Sequence, residues 1–360
     1  MKIHSMKLIA GLLFFFFSST IAQSQIVISG VVLDSSTREP LPGASVFAQN
    51  TTLGTTSNKD GEFSISLKSG GYELIFSFTG YKNQEVRITE NKNERLEILL
   101  VKEDKSMGEV VIQSSNEVKD GWEKYGDFFL GHFIGTTPFA AECSIQNKEA
   151  VRFFYYKRTD KLKVLVTEPL VISNEALGYD LRYQLDSFVY YYKTDISSYR
   201  GTCFFSEKLG TVSKAMVWKA NREKAYAGSR MHFMRSYYDS TLKESGFTIS
   251  LINDDKKTFG LLTKPYLPKY YSVSDTLDEV EIQFPDKISV AYIKAVPENA
   301  YLKQFNLPMD VGVQVSYVDV LRPIAIKENG YFYEQRSWIN QGYWSWKNVA
   351  DLLPYDYWPN

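Results

Sequence analysis

Asp60-Gly61-Glu62-Phe63-Ser64-Ile65-Ser66-Leu67 and, just beyond Gly70-Gly71, Tyr72-Glu73-Leu74-Ile75-Phe76-Ser77-Phe78 decide the class of fold. Phe63, Ile65 and Leu67 alternate strictly with polar residues, and Tyr72, Leu74, Phe76 and Phe78 share a second alternating face. A period of two places each set on one side of a half-buried strand. Asp60-Gly61 supplies the positive φ of a tight hairpin turn. Working outward, Leu96, Ile98 and Leu100 repeat the pattern. Pro40, Pro42 and Gly43 mark a loop into a strand at Ala44-Ser45-Val46-Phe47-Ala48. Short strands at this spacing predict a β-sandwich over residues 23–102.

The 360 residues carry 41 Lys plus Arg against 42 Asp plus Glu, which excludes a polybasic nucleic-acid binder. With 44% hydrophobic and 23% charged residues the chain is globular rather than disordered. Twenty-five Tyr, 23 Phe and 6 Trp bias it toward strands. Residues 1–22 have the pattern of a secretory signal peptide. Lys2 and Lys7 precede the apolar run Leu8 to Phe17, and Thr20-Ile21-Ala22 offers a small-x-small cleavage site. Its removal takes the formal charge from −1 to −3. The expectation is an exported protein of the periplasm or outer membrane, with peripheral rather than integral attachment. Export also makes a Cys143–Cys203 disulfide chemically accessible; two buried thiols are the alternative.

Four motifs in order carry a resemblance. Gly30-Val31-Val32-Leu33-Asp34, Pro40 to Val46, Asp60-Gly61-Glu62-Phe63 and Phe76-Ser77-Phe78-Thr79-Gly80-Tyr81 resemble the carboxypeptidase-regulatory-like domain. The resemblance implies a transthyretin-like, Greek-key sandwich. In Bacteroidetes outer-membrane transporters this domain precedes a plug and barrel, and Met107 to Ile112 resembles the junction there. The residues after 112 are too few for a 22-strand barrel at ~10 residues per strand with a plug. A metallocarboxypeptidase is also excluded, because neither His132 nor His232 has a Glu three residues on.

Glu103 to Gly121 reads as a polar linker, with Val110 to Ile112 able to join a sheet edge. Residues 122–360 then read as a β-rich α+β domain of unknown function, so the chain is mostly β. Trp122, Tyr125, Phe129 and Phe133 lie on one helical face after an Asp120 cap. A hairpin crosses Arg158-Thr159-Asp160, and Asn329-Gly330 marks another turn. Further strands are expected at Leu181 to Tyr192, Thr202 to Phe205, Phe247 to Ile252, Glu279 to Phe284, Ile288 to Ile293 and Gly312 to Val320. One long helix is expected over Lys214 to Lys243, capped by Ser213. Its apolar stripe is Met216, Ala220, Ala227, Met231, Met234, Tyr238 and Leu242, and Arg235 and Asp239 pair on its surface. Gly228 inside it implies close approach of another backbone.

The aromatics Tyr343, Trp344, Trp346, Tyr355, Tyr357 and Trp358 form a candidate ligand platform, since ring faces stack on apolar ligand faces. A tail docked on the core is the competing reading. Arg222, Arg235 and His232 are further candidate ligand contacts, and Arg222, Arg230 and Arg235 a candidate anion face. The motifs Leu177-Gly178-Tyr179, Met231 to Ser236 and Leu353 to Tyr357, with Trp122 to Gly126 and Phe133 to Thr137, resemble Bacteroidetes carboxypeptidase-like regulatory domain-containing proteins. That resemblance implies export and supplies no catalytic residue. No P-loop, GxGxxG, nucleophile elbow or zinc spacing occurs, so neither catalytic residue, metal nor cofactor is expected. The expected function is a non-enzymatic envelope module that docks on an outer-membrane or periplasmic protein, or on a glycan. The alternative is a polysaccharide- or peptide-processing hydrolase using paired carboxylates such as Asp254-Asp255 or Asp278-Glu279.

Overall fold

The computed structural model describes residues 25–88, 95–103, 116–253, 258–274, 276–285 and 287–359. The signal peptide, the Met107 to Ile112 junction and Asp254-Asp255 lie outside the described residues.

Seven strands build the amino-terminal sandwich: β1 (Gln25–Asp34), β2 (Ser45–Ala48), β3 (Gly54–Thr56), β4 (Glu62–Lys68), β5 (Tyr72–Ser77), β6 (Gln84–Ile88) and β7 (Leu96–Leu100). One sheet has the order β4-β1-β7, the other β3-β2-β5-β6. The alternation does its expected work. Phe63, Ile65, Leu67, Ile98 and Leu100 from the first sheet meet Val46, Tyr72, Leu74 and Phe76 from the second in one core. Gly61 takes φ +75°, as the turn requires, but the turn is not the expected hairpin: β3 and β4 on either side of it belong to different sheets. Asp34 closes one end of the sandwich. Its carboxylate accepts from the Tyr81 hydroxyl at 2.6 Å and from the N–H groups of Ser36 and Thr37.

The second region starts with Asn116–Val118, which runs beside a strand edge: Val118 N–H donates to Phe153 and Tyr155 N–H to Asn116. The carboxyl end of the expected linker is therefore part of a sheet. Helix α1 (Gly121–Phe133) follows, and Phe129 and Phe133 fill the core as their spacing predicts. Asp120 occupies the cap position but makes no side-chain cap bond. Strands β8 (Cys143–Ile145), β9 (Val151–Tyr156), β10 (Lys161–Val166), β11 (Leu170–Asn174), β12 (Tyr179–Tyr191) and β13 (Ile196–Glu207) form one antiparallel sheet beneath it. The hairpin at Arg158-Thr159-Asp160 is present, with Asp160 at φ +48°.

The expected long helix is three helices. They are α2 (Val212–Tyr226), α3 (Arg230–Tyr238) and α4 (Leu242–Ser245). Gly228 adopts φ +75°, and Ser229 caps α3 by accepting from His232 N–H. A left-handed residue ends an α-helix, so the stripe is cut in two. Its first part turns outward: Met216 is 69% exposed. Its last part, Met234 and Leu242, enters the core. The cap of α2 is Thr211 rather than Ser213. The space at Gly228 is tight, but the neighbours are side chains rather than the expected backbone: a Cβ there would lie 2.6 Å from the Tyr292 ring and from Gln314 Oε1.

Strands β14 (Phe247–Asn253), β15 (Thr258–Leu261), β16 (Tyr271–Ser274), β17 (Glu279–Ile282), β18 (Lys287–Tyr292), β19 (Gln314–Val320), β20 (Ile324–Ile326) and β21 (Trp338–Gly342) form a second pair of sheets, ordered β15-β14-β18-β19-β21 and β16-β17-β20. Helices α5 (Asn299–Gln304) and α6 (Tyr343–Trp346) complete the chain. The second region thus has two large cores, one under α1 and one under α3. Among the described residues no sheet closes into a barrel.

The sandwich is fixed to this region through the outer face and loops of its β2–β5 sheet. Asn50 N–H donates to Cys203, Phe205 N–H to Thr51, and Phe47 meets Phe204 edge-on. Asn329 bonds both backbone groups of Gly71 at 3.1 Å, and the Tyr331 hydroxyl donates to Glu73. The Arg87 guanidinium lies 3.2 Å over the Tyr333 ring.

Candidate functional site

The carboxy-terminal tail runs along this junction. Tyr355 N–H donates to Asn50, while Asp356 accepts from the Thr52 N–H at 2.9 Å and from its hydroxyl. Beneath the tail lies Arg235, only 2% exposed. Its Nε donates to Asn329 O, Nη1 to Tyr357 O and Nη2 to Tyr355 O, at 2.9–3.0 Å. Its guanidinium lies 3.9 Å from the centre of the Trp358 ring. A planar fork that stays charged suits this task, and a lysine point charge does not. The expected surface pair with Asp239 is therefore corrected: Arg235 is a buried clamp. The Leu353 to Tyr357 and Met231 to Ser236 motifs are the two halves of that clamp.

Most of the expected platform is inside the molecule. Tyr343, Trp344, Trp346 and Tyr355 are all buried. Trp344 Nε1 donates to Gly228 O, and Trp346 Nε1 to Thr136 and Gln304. These rings present no free face to a ligand; they pack because large aromatics contribute most to core burial. His232 is also packed among rings, those of Tyr226, Phe247 and Tyr292, and its Nδ1 accepts from Gly228 N–H at 3.2 Å. Burial, with Lys294 and Arg235 nearby, pushes its pKa down to about 4. Cys143 and Cys203 are free thiols, so the disulfide is not formed. Burial raises both, Cys143 to about 12.

Three of the named residues do meet at the surface. Arg222, Tyr357 and Trp358 line an open groove of about 480 Å³ with Glu207, Trp218 and Lys219. Arg222 is largely committed there: it donates to Leu177 O, Gly178 O and Glu207, and covers the Tyr179 ring at 3.9 Å. Lys219 makes no ion pair among the described residues, and Trp358 is 36% exposed. Trp218 and Lys219 were not singled out from sequence, because the stripe was traced through Met216 and Ala220, whereas the face that α2 buries carries Trp218, Ala225 and Tyr226. The break at Gly228 separates Arg222 from Arg230 and Arg235, so the three do not form one anion face.

The carboxylate pair open to description is structural. Asp278 accepts from the Tyr238 hydroxyl, and Glu279 pairs with Lys327 at 3.2 Å. A buried cluster joins Lys347 to Glu298 at 2.6 Å and to Asp351 at 3.1 Å, with Thr137 donating to Asp351. Burial raises the Asp351 carboxyl, while Lys347 and Lys224 hold Glu298 low despite its burial. Among the described residues no cluster of His, Cys, Asp and Glu is arranged to hold a metal ion.

Comparison with known proteins agrees with the amino-terminal geometry. Residues 28–112 match the CarboxypepD_reg-like domain. The TonB-dependent receptor SusC of Bacteroides thetaiotaomicron is 36% identical over 112 residues, covering 31% of this chain and 10% of that receptor. The TonB-dependent receptor P39 of Formosa agariphila is 36% identical over 80 residues, covering 22% and 8%. The chain therefore spans about a tenth of the length of the curated relatives it matches. Among solved structures, that of the Streptococcal ancillary pilin aligns at 21% identity with a TM-score of 0.20, covering 22% of this chain and 30% of that one. The chain is a mostly β protein whose amino-terminal sandwich is a CarboxypepD_reg-like domain.

Proposed function

We propose that this protein is a non-enzymatic, envelope-associated accessory module that docks on an exported or outer-membrane protein through the groove between α2 and the tail. The observation that carries the reading is the clamp. Arg235, Tyr355 and Asp356 tie a domain type shared with TonB-dependent receptors rigidly to the groove's own wall. Domains joined in this way present one composite surface. The groove offers what a peptide segment needs, namely an exposed indole at Trp358, the indole of Trp218 in its wall, and Lys219 as an uncommitted cation. The signal-like amino terminus supports the compartment.

The test is site-specific photocrosslinking at positions 219 and 358 in cells, followed by fractionation of the envelope. One envelope protein captured from both positions, and lost on Trp358→Ala with the chain still folded, supports the reading. Crosslinks confined to the cytoplasm, or turnover of labelled envelope polysaccharide by the purified chain, would replace it with another compartment or with the hydrolase.

A further inference from the structure

Two hairpins of the α1-covered sheet end in the same residues. Tyr155-Tyr156-Lys157-Arg158-Thr159-Asp160 closes β9–β10, and Tyr190-Tyr191-Tyr192-Lys193-Thr194-Asp195 closes β12–β13. Each final Asp is left-handed, at φ +48° and +54°. Each turns its carboxylate back onto the hydroxyl of the first Tyr, five residues earlier. The two tips are joined by Tyr192 N–H donating to Asp160 O at 3.1 Å.

This geometry sorts the charges. The acids of both turns are engaged by tyrosine hydroxyls, whereas Lys157, Arg158 and Lys193 make no ion pair among the described residues. Lys161 and Lys163, on the outward face of β10, make none either; Leu162 and Val164 between them face the core. Elsewhere in the second region Lys327, which is buried, and the half-buried Lys208 and Lys347 are each paired with a carboxylate.

Register then sets the rings. Tyr156, Lys161, Tyr191 and Ile196 stand opposite one another on four successive strands. The Lys161 ammonium lies 4.7 Å from the Tyr156 ring centre and 5.9 Å from that of Tyr191. Two strand spacings separate the rings, about 10 Å, which is the length of a disaccharide.

We propose that this face is a binding site for an acidic polysaccharide. Sugar rings stack on Tyr156 and Tyr191, and their carboxylate or sulfate groups meet Lys161 and the tip cations Lys157, Arg158 and Lys193. A row in which one cation stands between two rings, with further cations at the adjoining hairpin tips, suits a linear anionic polymer. A lipid surface would need a protruding apolar face, and here the exposed apolar side chains are Ile196 and the Tyr191 ring, flanked by Lys161. The site is separate from the groove at α2 and stands whether or not a protein docks there.

The experiment titrates the full chain with polygalacturonate, heparin, neutral dextran and phosphatidylglycerol vesicles, at 50 and 200 mM salt. Binding to one of the two acidic polysaccharides, weakened by salt and absent for dextran, is expected. Lys161→Glu with Lys193→Glu should weaken it about tenfold or more, and Tyr156→Ala with Tyr191→Ala about fivefold. Lys219→Glu, in the other groove, should leave it unchanged. Thermal melts of each variant establish that it is folded. Unaltered binding by both folded double variants, equal binding to dextran, or binding to vesicles without binding to either polysaccharide would overturn the proposal.

Discussion

Arg235 and Tyr355 are joined through a carbonyl, and the same Tyr355 reaches across to Asn50 with its N–H. One buried cation therefore controls the placement of a tail that touches both parts of the molecule. Arg235→Met leaves the carbonyls of Asn329, Tyr355 and Tyr357 without donors. Losing hydrogen bonds to a buried charge should cost about 3–5 kcal/mol in total, read by urea denaturation. Arg235→Lys should recover only part, because one ammonium cannot reach all three acceptors.

The contact between Thr52 and Asp356 spans 304 positions. Thr52→Val and Asp356→Ala should each destabilise the chain by about 1–2 kcal/mol. A double-mutant cycle should show coupling of about 1 kcal/mol or more. Additive costs would mean that the two side chains do not hold the sandwich to the tail.

Gly228→Ala tests the helix break. A Cβ there meets the Tyr292 ring and Gln314 Oε1 at 2.6 Å and forces a left-handed residue. The expected loss is about 1–3 kcal/mol. Gly260→Ala, with nothing within 4 Å of the added carbon, should be close to neutral.

His232 gives the protein an acid limit. Its pKa falls to about 4 through burial, reinforced by Lys294 and Arg235, against about 6.5 in an unfolded chain. The depressed base means that the unfolded chain binds the extra proton first. Its contribution is complete above about pH 6.5 and is lost as pH falls toward about 4, by roughly 3 kcal/mol. Denaturation measured between these pH values should show the slope in the parent, and a flatter one in His232→Asn.

Strand positions were legible where local rules act alone. The alternation at Phe63 to Leu67 and the turn at Arg158-Thr159-Asp160 need only backbone geometry and a single buried face. The break in α2–α3 was less so. Gly228 was visible, but at a cost of about 1 kcal/mol relative to Ala a helical Gly is tolerable, and only Tyr292 and Trp344 packing around it decide otherwise. Periodicity found the Met216–Ala220 stripe without saying whether anything covers it. The aromatic excess at Tyr343 to Trp358 was plain in composition, yet whether a ring faces core or solvent depends on partners such as Thr136 and Gly228. Arg235 looked like a surface cation because its three acceptors are backbone carbonyls, which composition does not distinguish.

The 304-residue gap between Thr52 and Asp356 also has a temporal meaning. Closing so large a loop is entropically slow and comes after local structure has formed. A chain threaded through a membrane from its amino end would have its sandwich ready long before the tail that locks it. Until Phe204 and then the segment around Asp356 arrive, Phe47, Asn50 and Thr52 lack their partners, and that interval is when a holding chaperone would have something to grip.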